Sequence, residues 1–84
     1  MTDENTRGYG KYEADEFSAD QLTQDPILQY FGYKHLPANL QERSKPWAEF
    51  AKWVIETVPR NAERTVALRK LLEGKDAAVR ASLQ

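Results

Sequence analysis

The stretch that decides the fold is the turn Val58-Pro59-Arg60-Asn61-Ala62-Glu63. Pro59 cannot continue a helix, because it lacks an amide hydrogen and its ring clashes with the preceding turn. Asn61 is a favourable helix N-cap, and Glu63 lies where a negative charge suits the helix dipole. The sequence therefore predicts one helix ending at Pro59 and another starting after Asn61. With so short a connection, the two helices must lie antiparallel.

The helix before this turn is predicted from apolar residues at helical spacing. They are Leu36, Leu40, Trp47, Ala51, Val54 and Val58, and Phe50 and Ile55 widen the same face. Intervals of three, four and seven residues bring side chains to one side of an α-helix. The element begins at Leu36-Pro37. Pro46 lies inside it, so either one helix is kinked there or two helices meet.

The helix after the turn is predicted to run to about Ser82. Its apolar face consists of Leu68, Leu72, Val79 and Leu83, widened by Leu71 and Ala78. Gly74 lies inside this helix, where glycine costs about 1 kcal/mol relative to alanine. It either lets another backbone approach closely or is simply tolerated.

A shorter helix is predicted ahead of the hairpin. Asp25 can cap the free amides of a helix whose first residue is Pro26, and residues 27–31 supply one or two turns. Gly32 can end that helix by entering the left-handed conformation. The predicted fold is therefore all-α: an antiparallel hairpin of two long helices, preceded by a short helix and an acidic arm.

The predicted domains are a flexible acidic N-terminal arm at residues 1–24 and a helical hairpin domain at 25–84. Residues 1–25 contain seven acidic and two basic residues, whereas residues 26–84 contain ten basic and six acidic ones. The arm is either a solvated tail or a segment that folds back on a basic surface, which could also take an anionic ligand. Tyr9, Tyr12 and Phe17 are either anchors of that arm or exposed aromatic residues.

A chain of this length buries so little apolar surface that its core alone gives only marginal stability. It has 84 residues and no cysteine, so its core is small and no disulfide reinforces it. Oligomerisation is the remaining compensation. Trp47 and Trp53 differ by about 120° around a helix and cannot both face one partner helix. We expect a homo-oligomer whose core and interface use Leu40, Trp47, Phe50, Trp53, Val54, Leu68, Leu72 and Val79.

Several function classes lack their sequence signatures. There is no Gly-rich phosphate loop, nucleophile elbow or calcium loop, and one histidine without cysteine cannot build a zinc site. We therefore expect no enzyme, no cofactor and no metal. No apolar run is long enough for a membrane span, and the first residues are polar and acidic, which predicts a cytoplasmic protein. The net charge of −1 argues against nucleic-acid binding.

The candidate ligand-binding segment runs from Tyr30 to Pro37 and combines three aromatic rings, a lysine, a histidine and a turn. Aromatic faces stack on bases, and lysine pairs with phosphate. The alternative is that the aromatic residues cap the open end of the hairpin as core. Tyr33 and Lys34 are the least needed for packing, and His35 is expected to be a partly exposed turn residue.

Basic residues beyond the turn are further candidates for phosphate binding. Arg60, Arg64 and Lys75 are available for it on sequence grounds. The alternative is an ordinary solvated face, because acidic residues interleave with these cations.

The residues from Tyr30 to Ala81 resemble a known family. The matching features are Phe31-x-Tyr33-x-His35-Leu36-Pro37, a helix with Ala48, Ala51 and Ile55, then Pro59, Glu63-Arg64, Ala67, Leu72-Glu73 and Ala77-Ala78-Val79-Arg80-Ala81. The stretch is similar to small proteins encoded by bacteriophages of actinobacteria. More distantly, it is similar to the hairpin domain of phage anti-CBASS and anti-Thoeris sponge proteins. The chain departs from those hairpins in lacking their late Trp-Ala-Asn stretch.

The resemblance implies an oligomer of hairpins that sequesters cyclic nucleotide signals made by the host's immune enzymes. It implies ligand contacts by Phe31, Tyr33, His35 and Arg80, with Tyr33 stacking on a base and Arg80 holding phosphate. With Lys34, these are the candidate ligand-binding residues. The rival hypothesis is a phage-encoded structural or interaction adaptor that docks a host protein through its helices or its acidic arm.

Overall fold

The computed structural model describes residues 16–83, which are helical with no strand among them. Helix α1 spans Ala19–Gln24, a 3-10 helix spans Pro26–Phe31, α2 spans Ala38–Thr57 and α3 spans Ala62–Ser82. This confirms the predicted all-α fold, with two long helices after a short helical segment. Within residues 16–83, no helix combines the length and the apolar character that crossing a membrane requires.

The hairpin turn follows its sequence signals. Helix α2 ends at Thr57, just before Pro59, and α3 begins after Asn61. The Asn61 side chain accepts a hydrogen bond from the Arg64 amide at 2.9 Å, so the predicted N-cap is confirmed. Helix α2 continues through Pro46 without a break, which excludes two separate helices at that point.

Helix α1 lies within residues 1–24, the segment that the sequence predicts to be a flexible arm. Ser18 and Gln21 form a capping box, in which each side chain bonds the other residue's backbone amide. Phe17, directly before it, is 5% exposed and belongs to the core. Packing therefore begins upstream of the predicted boundary at residue 25. The predictions for Tyr9, Tyr12 and the rest of residues 1–15 lie outside the described residues.

The 3-10 helix differs from the predicted short α-helix at both ends. The Asp25 side chain makes no cap hydrogen bond and is paired with Arg64 instead. Gly32 is extended, with φ −61° and ψ 142°, so the predicted left-handed stop is wrong. Three residues per turn align Leu28 with Phe31 on one face, and both side chains are fully buried. Burial of these two side chains holds the segment against the hairpin.

The core lies between α2, α3 and the N-terminal helices. Its fully packed apolar residues are Phe17, Leu28, Phe31, Ala48, Ala51, Val54 and Leu68. Two residues predicted for the apolar faces are instead exposed: Phe50 by 52% and Leu83 by 64%. Phe50 lies about 200° around the helix from the buried Ala48. Leu83 is the C-cap residue, beyond the last turn of α3.

Candidate functional site

The aromatic and basic turn before α2 is held from two sides by hydrogen bonds. The Leu36 amide donates to the Tyr33 carbonyl at 3.0 Å. Glu16 Oε2 accepts from the Tyr33 and Lys34 amides at 3.0 and 3.2 Å. Gln41 Nε2 donates to the carbonyls of Lys34 and Leu36 at 3.3 and 2.8 Å. The turn therefore presents its side chains from a fixed backbone, as a binding site requires.

Two open grooves flank this turn, and both are lined by Tyr33 and Lys34. The first, here called the Lys52 groove, has a volume of about 300 Å³ and is also lined by Glu16, Ala48, Glu49 and Lys52. The second, here called the Lys45 groove, has a volume of about 450 Å³ and is also lined by Ala38, Gln41, Glu42 and Lys45. These volumes lie at the lower end of the range found for small-molecule sites, about 300–1,000 Å³.

The grooves combine one aromatic ring with three lysines. Tyr33 is half-buried and packs against the core, so the expectation that packing does not need it is wrong, whereas Lys34 is exposed. Among residues 16–83, no ion pair joins Lys34, Lys45 or Lys52 to a carboxylate. Their ammonium groups can therefore pair with phosphate, while the Tyr33 ring offers a surface on which a base can stack.

The structure separates the candidate ligand-binding residues rather than gathering all of them. Phe31 is fully buried and acts as a core residue, so it cannot contact a ligand from this position. His35 and Arg80 are exposed, but neither lines the two grooves. Sequence reasoning missed Lys45 and Lys52, although their seven-residue spacing places them on one face of α2.

The cations that were expected to be available for phosphate are engaged in the fold. Arg60 Nη2 donates to the Gln24 carbonyl at 2.8 Å. Arg64 is 5% exposed; its Nη2 pairs with Asp25 Oδ2 at 2.7 Å, and its Nη1 donates to the Ile55 carbonyl at 3.2 Å. Arg64 is therefore not available for phosphate, whereas Arg60 remains exposed and donates a single side-chain hydrogen bond to the Gln24 carbonyl.

Lys75 is engaged in the same way. It is 8% exposed, and its Nζ donates to the Tyr30 carbonyl. Burial lowers the pKa of Lys75, outweighing the opposite effects of Asp76 and Glu16. Like Arg64, Lys75 is not available for phosphate.

The three cations share one structural role. Their carbonyl partners Gln24, Ile55 and Tyr30 lie in the last turns of α1, α2 and the 3-10 helix. Carbonyls at a helix C-terminus lack partners within the helix, and the helix dipole favours a positive charge there. Arg60, Arg64 and Lys75 therefore each bond a carbonyl at the C-terminal end of one of the other three helices.

An aromatic pair lies on the outer face of α2. Phe50 and Trp53 are 52% and 55% exposed, and their rings pack edge to face with centroids 5.6 Å apart. Trp47, in contrast, faces α3, which agrees with the predicted angular separation of the two tryptophans. The outer face of α2 thus exposes two large aromatic rings.

Neither a search for metal-binding groups nor a comparison with known proteins adds an indication of function. Residues 16–83 contain no group of three or more His, Cys, Asp or Glu side chains that could hold a metal ion. No family model, curated protein or solved structure matches the chain.

Proposed function

We propose that the protein is a non-enzymatic binding protein that assembles with copies of itself and sequesters a small anionic ligand, for which a cyclic nucleotide is the leading candidate. The observation that carries this proposal is the fixed turn at which Tyr33 and Lys34 line both grooves. At this turn the Tyr33 ring offers a stacking surface for a base, and the neighbouring lysine ammonium groups offer positive charges for phosphate.

The arrangement of the two grooves suits a ligand with more than one phosphate. Lys45 borders one groove and Lys52 the other, while Lys34 and the Tyr33 ring lie between them. A cyclic di- or trinucleotide offers several phosphates and several bases in one compact molecule. The resemblance of residues 30–81 to the phage sponge hairpins implies the same ligand class, although Tyr33 alone of its four matching positions lines these two grooves.

Self-assembly is supported by the exposed apolar surface of the hairpin. Phe50 and Trp53 expose about half of their surface on α2, and Val66 is 49% exposed on α3. Aromatic rings are enriched in protein interfaces and often supply most of their binding energy. A chain with such a small core gains stability when a second copy covers these residues.

The same aromatic pair favours a second candidate function. Phe50 and Trp53 would equally suit an adaptor that docks a host protein through the outer face of α2. In both proposals the protein acts in the cytoplasm, which is the host cytoplasm if a phage encodes it.

The test is titration of the purified chain with a panel of cyclic di- and trinucleotides, followed by calorimetry and by thermal unfolding. We expect saturable binding that Tyr33→Ala abolishes. Tyr30→Ala is the matched control, because Tyr30 is 43% exposed in the same segment and lines neither groove. Absence of binding to every nucleotide, with a host protein captured through Trp53, would favour the adaptor.

A further inference from the structure

The Tyr33–Lys34 turn contains an anion-binding arrangement of backbone groups. The amides of these two consecutive residues both donate to one oxygen, Glu16 Oε2, at 3.0 and 3.2 Å. Successive backbone amides that converge on one point form a concavity that binds anions. The Glu16 carboxylate is the anion that occupies it.

The surroundings of this amide pair suit an incoming anion. Lys34 and Lys52 line the groove to which Glu16 and Tyr33 also contribute. Glu16 is separated from the amides by 17 residues of chain, so its carboxylate reaches them only through the tertiary fold. Release of the two amides requires rotation of the Glu16 side chain, which lines the same groove as Tyr33 and Lys34.

The carboxylate of Glu16 is incompletely satisfied in this position. Its other oxygen, Oε1, is buried and makes no hydrogen bond among residues 16–83. A buried acceptor without a partner disfavours the arrangement that contains it. A phosphate group reaching in from the groove would keep its remaining oxygens near the lysines and solvent.

We propose that the Tyr33 and Lys34 amides form a phosphate-binding site for which the Glu16 carboxylate competes. Glu16 then acts as an internal competitor that sets the affinity of the groove for phosphate compounds. The inference rests on the proposed function in taking the groove as the ligand site. Its own test needs no nucleotide.

The experiment compares the full chain with Glu16→Ala and Glu49→Ala, using inorganic pyrophosphate as the probe at constant ionic strength. Glu49 lines the same groove and makes no hydrogen bond to the turn, so its removal is a matched loss of one negative charge. If Glu16 occupies the amides about nine-tenths of the time, its removal raises pyrophosphate affinity about tenfold. Glu49→Ala is expected to have a much smaller effect.

Thermal unfolding supplies a second measurement. Glu16→Ala is expected to melt below the wild type in chloride and to recover in pyrophosphate, because the anion replaces the lost carboxylate. Glu16→Gln keeps a neutral acceptor for the two amides, and we expect it to fold and to bind pyrophosphate more tightly than the wild type. In each variant, the Tyr33 and Lys34 amide resonances should move on titration.

Equal affinities of Glu16→Ala and Glu49→Ala, or a loss of stability in Glu16→Ala that pyrophosphate does not reverse, would overturn the competition and leave Glu16 as a structural brace. Pyrophosphate rescue in a protein that binds no cyclic nucleotide would support the site and overturn the proposed ligand. Nucleotide binding that is unaffected in both Glu16 variants would overturn the site alone.

Discussion

The indole of Trp47 lies directly against Gly74 across the hairpin. A Cβ atom on residue 74 would come within 3.1 Å of Trp47 Cζ3 and 3.3 Å of Cη2. Gly74 therefore allows α2 and α3 to pack closely. The atoms that approach it belong to a side chain, whereas the sequence suggested the approach of another backbone. Two opposing effects follow, since alanine favours the helix but crowds the ring.

Gly74→Ala should behave differently with and without the indole. In a Trp47→Ala background, we expect it to stabilise the protein by about 1 kcal/mol, the usual preference of a helix for alanine. In the wild type, crowding by the ring should cancel or reverse that gain, since overpacking typically costs about 1–3 kcal/mol. Urea denaturation of the wild type, the two single variants and the double variant gives the coupling energy between positions 47 and 74. An identical effect in both backgrounds would contradict the contact.

Arg64→Met should be among the most destabilising single changes in the chain. It leaves the Asp25 carboxylate without its buried partner and the Ile55 carbonyl without a donor, and breaking a buried pair costs about 3–5 kcal/mol. Arg69→Met is the control, because Arg69 is exposed on the same helix and should change stability by less than about 0.5 kcal/mol. Similar midpoints for the two variants in urea would show that the pair contributes little.

Lys75 should make stability depend on alkaline pH. Its folded-state pKa lies below the ordinary 10.5, so between those two values the unfolded chain binds more protons and stability rises with pH. We expect the wild type to gain stability relative to Lys75→Met as pH approaches 10.5. Lys70→Met is the comparison, because the Lys70 side chain is 71% exposed. Parallel pH profiles for wild type and Lys75→Met would exclude a lowered pKa.

Trp53→Ala should affect assembly more than the folding of the single chain. The single chain should lose about 0.5–1.5 kcal/mol with the contact between Trp53 and Phe50, whereas an interface anchor is worth about 2 kcal/mol or more. Light scattering during size exclusion measures the mass. Arg69→Ala, exposed on α3 and outside that apolar surface, serves as the control. A wild type that is already monomeric would remove the basis for the proposed self-assembly.

The hairpin could be predicted because its signals are local. Pro59 and Asn61 each act on the backbone beside them: α2 ends before Pro59, and Asn61 caps the N-terminus of α3. The capping box of Ser18 and Gln21 is equally local and could have revealed α1. It was overlooked because its surroundings are acidic and poor in aliphatic residues.

The parts that could not be predicted depend on distant residues. Nothing near Asp25 in the sequence indicates that its carboxylate pairs with Arg64, 39 residues later, instead of capping the next helix. The turn at Tyr33 and Lys34 was identified as a candidate site from composition. Its support by Glu16, however, crosses 17 residues and appears only in the folded chain.

The capping of three helix ends by cations from the turn and α3 also bears on where the chain could be cut. A fragment beginning at Leu36 would retain both long helices but would leave Arg64 and Lys75 facing the space vacated by Asp25 and the Tyr30 carbonyl. Phe31 and Leu28 would be removed from the same interface. Such a hairpin fragment is therefore expected to be less stable than a chain that retains Asp25 to Phe31, because it loses these charge partners and core side chains together.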